Sequence, residues 1–414
     1  MANQTRKPRV LIVGAGLGGL TLAQCLRKQG VPFEIFERDT SAHSRFLGWA
    51  IGIHTILDDF LSSVPEDLPP LKESITHLAP LKLEAQLGFY FHGKHLAVDS
   101  TLEWPIIRAN RPRFRNWLST NIPIQWGKRP TKVEQIEDKI QLRFEDGTTA
   151  TGDILVGADG TNSFVRESLL GVPNTETLQA IPCCMVVGET TVTGEAFERQ
   201  LSIAHSSYVA VGTTPKEYSI FVGLNHVSVD GKSGRYYWFT QERDLAIASE
   251  DHWSKSASRE ELYNHVMDLT STLDPRFSEI IRSTTLDEVK PQPLIFRDAQ
   301  IKSLPVGRIT LLGDAIHPMS PFRGEGGVHA LRDALNLAKA IAQIKSNNTS
   351  EIKSLLGPYQ EEMLERGVQA VRASRGQQTP GTSGEIQDGK PPVVWGKRAV
   401  EVPDETIILE DVLP

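Results

Sequence analysis

Three short apolar runs organise the chain: Val10 to Val13, the Ile154–Val156 stretch, and Ile309 with Leu311 and Leu312. Runs of this length, apolar on both faces, predict parallel strands buried under helices. After the first run, apolar spacing turns helical from Leu20 to Lys28, Gly30 stops it, and Phe33–Glu37 reads as the next strand. After the third, Ala330, Leu331, Ala334, Leu335, Ala338 and Ile341 recur at helical spacing. Between these units the pattern alternates. Lys132 to Phe144 reads as paired strands with Glu145–Thr148 as a turn, and Gly88–His92 and Lys94–Val98 read as a hairpin about Gly93. Met185–Glu189, Leu201–Ala204, Tyr208–Gly212, Ser219–Leu224 and Arg235–Thr240 are expected strands, followed by helical spacing over 258–282. The expected fold is α/β: a Rossmann-like nucleotide-binding domain with an inserted antiparallel β-sheet domain.

Each apolar run opens onto a chemically suggestive loop. The first gives Gly14-Ala15-Gly16-Leu17-Gly18-Gly19, with Glu37 at the end of the following strand. In such a unit Gly14 permits the turn, Gly16 admits a pyrophosphate, Gly19 lets helix and strand pack, and the acidic residue accepts from ribose hydroxyls. The second run ends in Asp159-Gly160, followed by a helix bearing Arg166. The third ends in Gly313-Asp314, two prolines (Pro318, Pro321) and the cluster Gly324, Gly326, Gly327 before its helix. A carboxylate, a close-approach loop and a helix N-terminus suit an electron-rich polar ring system. Asn110 and Pro112 predict another helix start, in a stretch with four arginines: Arg108, Arg111, Arg113 and Arg115.

The order GxGxxG, DG, GD over about residues 8–345 resembles the class A single-component FAD-dependent monooxygenases, the para-hydroxybenzoate and salicylate hydroxylase type with its fungal relatives. The resemblance implies FAD as cofactor and NADPH or NADH as co-substrate. It further implies that Asp314 binds the ribityl chain, that Pro321 to Gly327 border the isoalloxazine, and that Asp159 helps hold FAD. Arg45 and Ala50 match positions beside the flavin, and Arg111 best matches a flavin-contacting arginine; the other three arginines are taken as surface. One departure is Val328 after the glycine cluster, where many members have Asn. The implied reaction inserts one atom of O2 into a small aromatic or polycyclic, secondary-metabolite-like substrate through a flavin C4a-hydroperoxide. A non-oxygenating FAD oxidase is the enzymatic alternative, and a non-enzymatic flavin-fold binding protein the other. No residue stands out as a base. Arg199 and Tyr236 are the catalytic candidates from the inserted domain, with Arg323 as an anion-binding alternative and His54 as a possible acid–base group. Tyr208, Phe221, Tyr236 and Trp238 are candidates for a substrate wall.

Size and composition narrow the picture. With 414 residues, two domains are expected. The division is a discontinuous FAD-binding domain (1–75, 100–173, 290–375), a substrate domain (76–99, 174–289) and a loosely packed tail (376–414). A net charge of −7 with no dense basic run argues against nucleic-acid binding. Three cysteines, Cys25, Cys183 and Cys184, have neither disulfide-framework nor metal-ligand spacing. With no signal-peptide pattern and no membrane-length apolar run, the expectation is a cytoplasmic monomer or homodimer without metal.

Overall fold

The computed structural model describes residues 7–46, 48–91, 93–214, 216–346, 348–376, 393–402 and 406–414. The apolar runs become neighbours in a five-stranded parallel sheet, ordered Ile309–Leu311, Ile154–Gly157, Val10–Val13, Phe33–Phe36, Ile124–Gln125. Val10–Val13 is fully buried at its centre, as a run apolar on both faces requires. Helices Leu17–Gln29 and Gly326–Ala342 pack against each other beside it. The first ends at Gly30, whose φ of 63° caps it in the left-handed region. Helix Thr349–Gly376 is tied to the sheet's edge strand: the Tyr359 hydroxyl donates to the Leu311 carbonyl (2.9 Å) and Gln360 to Thr310 Oγ1 (3.1 Å).

The second sheet has eight strands. It unites Gln86–Phe91 and Lys94–Asp99 with strands between Cys183 and Arg243. Its pairings are antiparallel except where Ser207–Ala210 runs parallel to Leu87–Tyr90. Period-2 alternation separates its faces. Tyr208, Ile220, Val222, Tyr236 and Trp238 share a core with Phe197, Leu262 and Phe277, which lie on helices Gly194–Ile203, Arg259–Leu269 and Pro275–Arg282. Phe221, Tyr237 and Phe239 point the other way and gather with Trp49, Phe296 and Phe322.

Two expectations are corrected. Leu201–Ala204 is no strand: Leu201 lies in the Gly194–Ile203 helix, where Phe197 and Leu201 bury one face at i, i+4 spacing. The described part of the tail is not loose. Val400–Glu401 adds an edge strand against Ala97 and Leu96, and Ala399 and Leu409 are buried. His92 and the Gln377–Gly381 stretch lie outside the described residues.

Helix and strand meet closely at the first glycine loop. A methyl added at Gly19 would lie 2.0 Å from the Gly14 carbonyl oxygen. Gly19→Ala is therefore expected to cost about 1–3 kcal/mol through overpacking. Urea denaturation checks this, and an unchanged midpoint would contradict the packing.

Candidate functional site

The site begins where Val13 leaves the parallel sheet. The Gly14 N–H donates to the Phe36 carbonyl (2.7 Å), and its φ of 106° turns the chain into the helix. Two residues on, a methyl added at Gly16 would meet none of the described residues within 4 Å. The protein itself leaves room for a side chain there, so the open space suits a group the chain does not supply. Gly16 also precedes a 13-residue helix with no side-chain cap. Its first-turn N–H groups and positive end face outward toward that space.

Glu37 lies under this loop and is buried. One carboxylate oxygen accepts from the Ala15 N–H (2.9 Å) and the other from the Asp39 N–H (3.1 Å). Arg115 approaches to 3.6 Å while donating to the carbonyls of Ala15 (2.9 Å) and Ala42 (3.1 Å). Arg115 is buried, with Nη2 lacking a hydrogen-bond partner among the described residues, so the reading of it as a surface residue fails. Its i, i+4 spacing from Arg111 in helix Arg111–Leu118 was the available signal. Asn110 caps this helix by accepting from the Arg113 N–H (3.1 Å).

Arg111 and Asp314 form the other end. Both have exposed side chains, yet surrounding protein desolvates both. That combination describes groups surrounded by protein whose side chains still reach open space. Burial pushes the Asp314 carboxyl above its usual value, with Arg111 opposing the shift; burial also lowers Arg111, with Asp314 opposing. Among the described residues neither charged group has a hydrogen-bond partner. A carboxylate and a guanidinium that act on each other's titration but have no hydrogen-bond partner among the described residues are poised for a polar ligand.

A buried ionic network fixes the Asp314 loop. Asp333 accepts from the Gly313 N–H (2.8 Å), faces His317 Nε2 (2.7 Å) and accepts from Arg366 (2.7 Å). Arg166 reaches across from helix Phe164–Leu170 to donate to the Ala315 carbonyl (3.0 Å). Asp159 is engaged locally: it accepts from the Ser163 hydroxyl (2.6 Å) and from the N–H groups of Phe164 (2.7 Å) and Val165 (3.2 Å), holding that helix start.

The remaining candidates divide. Arg45 pairs with Asp39 (2.7 Å) on the exposed rim. Ala50 pairs with Asn110 in the short sheet of Ala50–Ile53 with Ile107–Asn110. Pro321 opens an exposed turn, and Gly327 sits where a methyl would overlap Ile51. Arg323 pairs with Glu325 (2.9 Å). His54 is buried, and burial lowers its pKa to about 4, leaving a neutral imidazole. The structure does not bring Arg199 or Tyr236 to this site. Arg199 is exposed and pairs with Glu279 (2.7 Å), while Tyr236 is buried in the core on the sheet's far face. Tyr208 and Trp238 share that face, which leaves Phe221 alone of the four expected wall residues on the near side.

The near face holds residues that the sequence did not single out. Tyr237 stacks on Trp49 with ring centroids 4.5 Å apart and planes 6° apart. Its hydroxyl accepts from Arg108 (2.7 Å), which also donates to the Leu224 carbonyl. Arg108 is thus a buried bridge from the short sheet to the larger one, not a surface residue. Trp49 donates to Glu189 (3.1 Å), which also binds Lys290 (2.8 Å) and Arg235 (3.2 Å).

Comparison with known proteins bears on this geometry. A family described as an FAD binding domain matches residues 117–374, and an NAD(P)-binding Rossmann-like domain matches 12–45. An FAD-dependent monooxygenase of Trichoderma harzianum is 47% identical over 372 residues, covering 88% of this chain and 92% of the relative. One of Talaromyces islandicus is 29% identical, with 88% and 91% covered. Among solved structures, Klebsiella pneumoniae HpxO complexed with FAD and uric acid superposes with TM-score 0.70 at 20% identity, covering 92% and 91%. The 2,6-dihydroxypyridine-3-hydroxylase of Arthrobacter nicotinovorans gives TM-score 0.70 at 18% identity, covering 98% and 100%. These two show the shared fold.

The ionic network makes stability pH-dependent. Burial lowers the His317 pKa, but Asp333 outweighs it, and the net shift is upward from 6.5. A raised folded-state value means the His317 contribution is full below about 6.5 and fades as pH rises through the folded value. Urea midpoints from pH 6 to 9 are expected to fall more steeply for the wild type than for His317→Gln; parallel slopes would contradict the assignment.

Proposed function

The chain belongs to the class A FAD-dependent monooxygenases, and from that premise we propose that it uses NADPH or NADH and O2 to insert one oxygen atom into a flat aromatic or polycyclic substrate. The fold and the family establish FAD as cofactor. The observation carrying the reading is the pair Arg111 and Asp314, whose charged groups lack hydrogen-bond partners among the described residues, together with the open face of Gly16.

In this reading the uncapped helix start at Gly16 takes the pyrophosphate, and Glu37 adds ribose hydroxyls to the two backbone N–H groups it already accepts. Asp314 accepts from the ribityl hydroxyls. Arg111 and Arg45 add positive charge along the site, and Asp159 acts by shaping its neighbouring turn. Ala50 and the Pro321–Gly327 segment border the ring end. FAD, when bound, supplies hydride acceptance from the nicotinamide and activation of O2. We assign residues 1–75, 100–173 and 290–375 to cofactor binding, and 76–99 with 174–289 to the substrate side.

The substrate surface we assign is the near face of the larger sheet: Phe221, Tyr237 and Phe239, with Trp49 and Phe322 opposite. Flat apolar walls suit ring stacking and exclude water from the oxygen-transfer step. Arg108 holds the Tyr237 hydroxyl at a fixed position. Because that oxygen already accepts from Arg108, its own proton is available for a substrate oxygen.

Two measurements test the assignment. The flavin band of the anaerobic protein is expected to bleach on addition of NADPH or NADH, faster in the presence of substrate; a band that persists with either nicotinamide would favour an oxidase. Asp314→Ala is expected to weaken FAD binding by roughly 10–100-fold, matching the ~1.5–3 kcal/mol of hydrogen bonds to a charged group. Full flavin content after dilution and gel filtration would refute the ribityl role.

A further inference from the structure

We propose that Trp395 is a positioning residue for the ring end of the cofactor, and that the C-terminal hairpin carrying it forms part of the cofactor site. The inference rests on the FAD reading above and concerns a segment to which that reading gives no role.

Val393–Val394 and Lys397–Arg398 pair antiparallel, leaving Trp395-Gly396 as the two-residue turn. Both turn residues have positive φ, 52° and 86°. Hairpin turns of this kind favour Asn-Gly, and a large side chain at the first position is strained there. The contacts of the indole offset that strain. It stacks on His54 with centroids 4.0 Å apart and planes 13° apart, and its Nε1 donates to the Arg323 carbonyl (2.9 Å). Two glycines make room for it: a methyl on Gly52 would lie 3.3 Å from the ring, and one on Gly324 3.0 Å.

Those two glycines sit on separate walls. Gly52 belongs to the Ala50–Ile53 strand, and Gly324 closes the Pro321–Arg323 turn. These are the elements assigned to border the ring end. Ile51 and Gly327 bring the same two walls together nearby. The indole is thus a wedge between the two walls that sets their separation. The hairpin is also anchored to the larger sheet, through Val400–Glu401 against Ala97 and Leu96 and through Lys397 donating to the Asp99 carbonyl (3.1 Å). The wedge therefore couples the position of the substrate-side sheet to the spacing of the cofactor walls.

A tryptophan serving stability alone would weaken every ligand alike. A wedge at the ring end discriminates between the two ends of the dinucleotide. ADP spans only the Gly14–Glu37 end, whereas FAD spans both. FAD release from diluted holoprotein, followed by flavin fluorescence, gives the FAD Kd, and ADP competition in the same assay gives the ADP affinity. Trp395→Ala is expected to raise the FAD Kd about tenfold, alter the visible circular dichroism of the bound flavin, and leave ADP affinity within about twofold. Trp395→Phe keeps the stack without the carbonyl tether and is expected to fall between. Gly52→Ala, which crowds the indole without removing it, is expected to shift the dichroism too, so the proposal stays testable if Trp395→Ala folds poorly. Unchanged FAD Kd and dichroism in these variants would overturn the proposal, as would equal weakening of FAD and ADP. A wild-type protein that binds no FAD would instead overturn the FAD reading, and the inference with it.

Discussion

Asp333 is fully buried, and the placement of the Asp314 loop depends on its charge being answered from three directions. The Gly313 N–H and His317 come from the loop itself, and Arg366 comes from helix Thr349–Gly376. Burying an ion is unfavourable unless every side of it is paired, and removing one partner of such a group costs roughly 3–5 kcal/mol. The loop after the Ile309–Leu311 strand therefore has one low-energy position relative to helices Gly326–Ala342 and Thr349–Gly376. The network satisfies Asp333 completely while Asp314, close by on the same loop, is left without a hydrogen-bond partner among the described residues. One carboxylate holds the architecture, so that the other is free for a ligand.

The same division recurs among the arginines. Arg115 and Arg166 are committed to main-chain carbonyls, and Arg108 to a carbonyl and a tyrosine hydroxyl; each joins segments distant in sequence. Arg111, one helical turn from Arg115, has no such partner among the described residues. Two helix starts, at Gly16 and Glu325, likewise have no side-chain cap, which leaves their first-turn N–H groups and positive ends available.

The parallel-sheet unit was legible because its signals are local: an apolar run, a glycine pattern and a following helix or acidic residue. The cap at Asn110 and the C-cap at Gly30 were legible for the same reason. The substrate side was not. Alternation marks the Arg235–Thr240 stretch as a strand without saying which parity faces the cofactor, so Tyr236 is favoured from sequence where Tyr237 lies on the near face. Aromatic residues fill both faces, which removes the polar contrast that normally identifies the inner one. A cluster of arginines likewise looks solvated until its long-range partners are known, and the partners of Arg108 are more than a hundred positions away. Trp395 was illegible for a related reason. Nothing near it in sequence indicates that Gly52 and Gly324 have made space for its ring.

The two ends of the site also differ in when they can form. Gly14, Gly16, Gly19 and Glu37 belong to a single strand–helix–strand unit whose parallel pairing needs only residues 10–36. The Arg111–Asp314 end needs Ile309–Leu311 to find Leu155–Gly157, and the Asp333 network to close after it. Pairings so distant in sequence pay their loop entropy before they return any contact energy, and they form slowly. On the proposed assignment, the nucleotide end is therefore complete during synthesis well before the ring end. A dinucleotide meeting the half-made protein would then find a place only for its adenosine half, and the fit of its other half would wait until the last helices have docked.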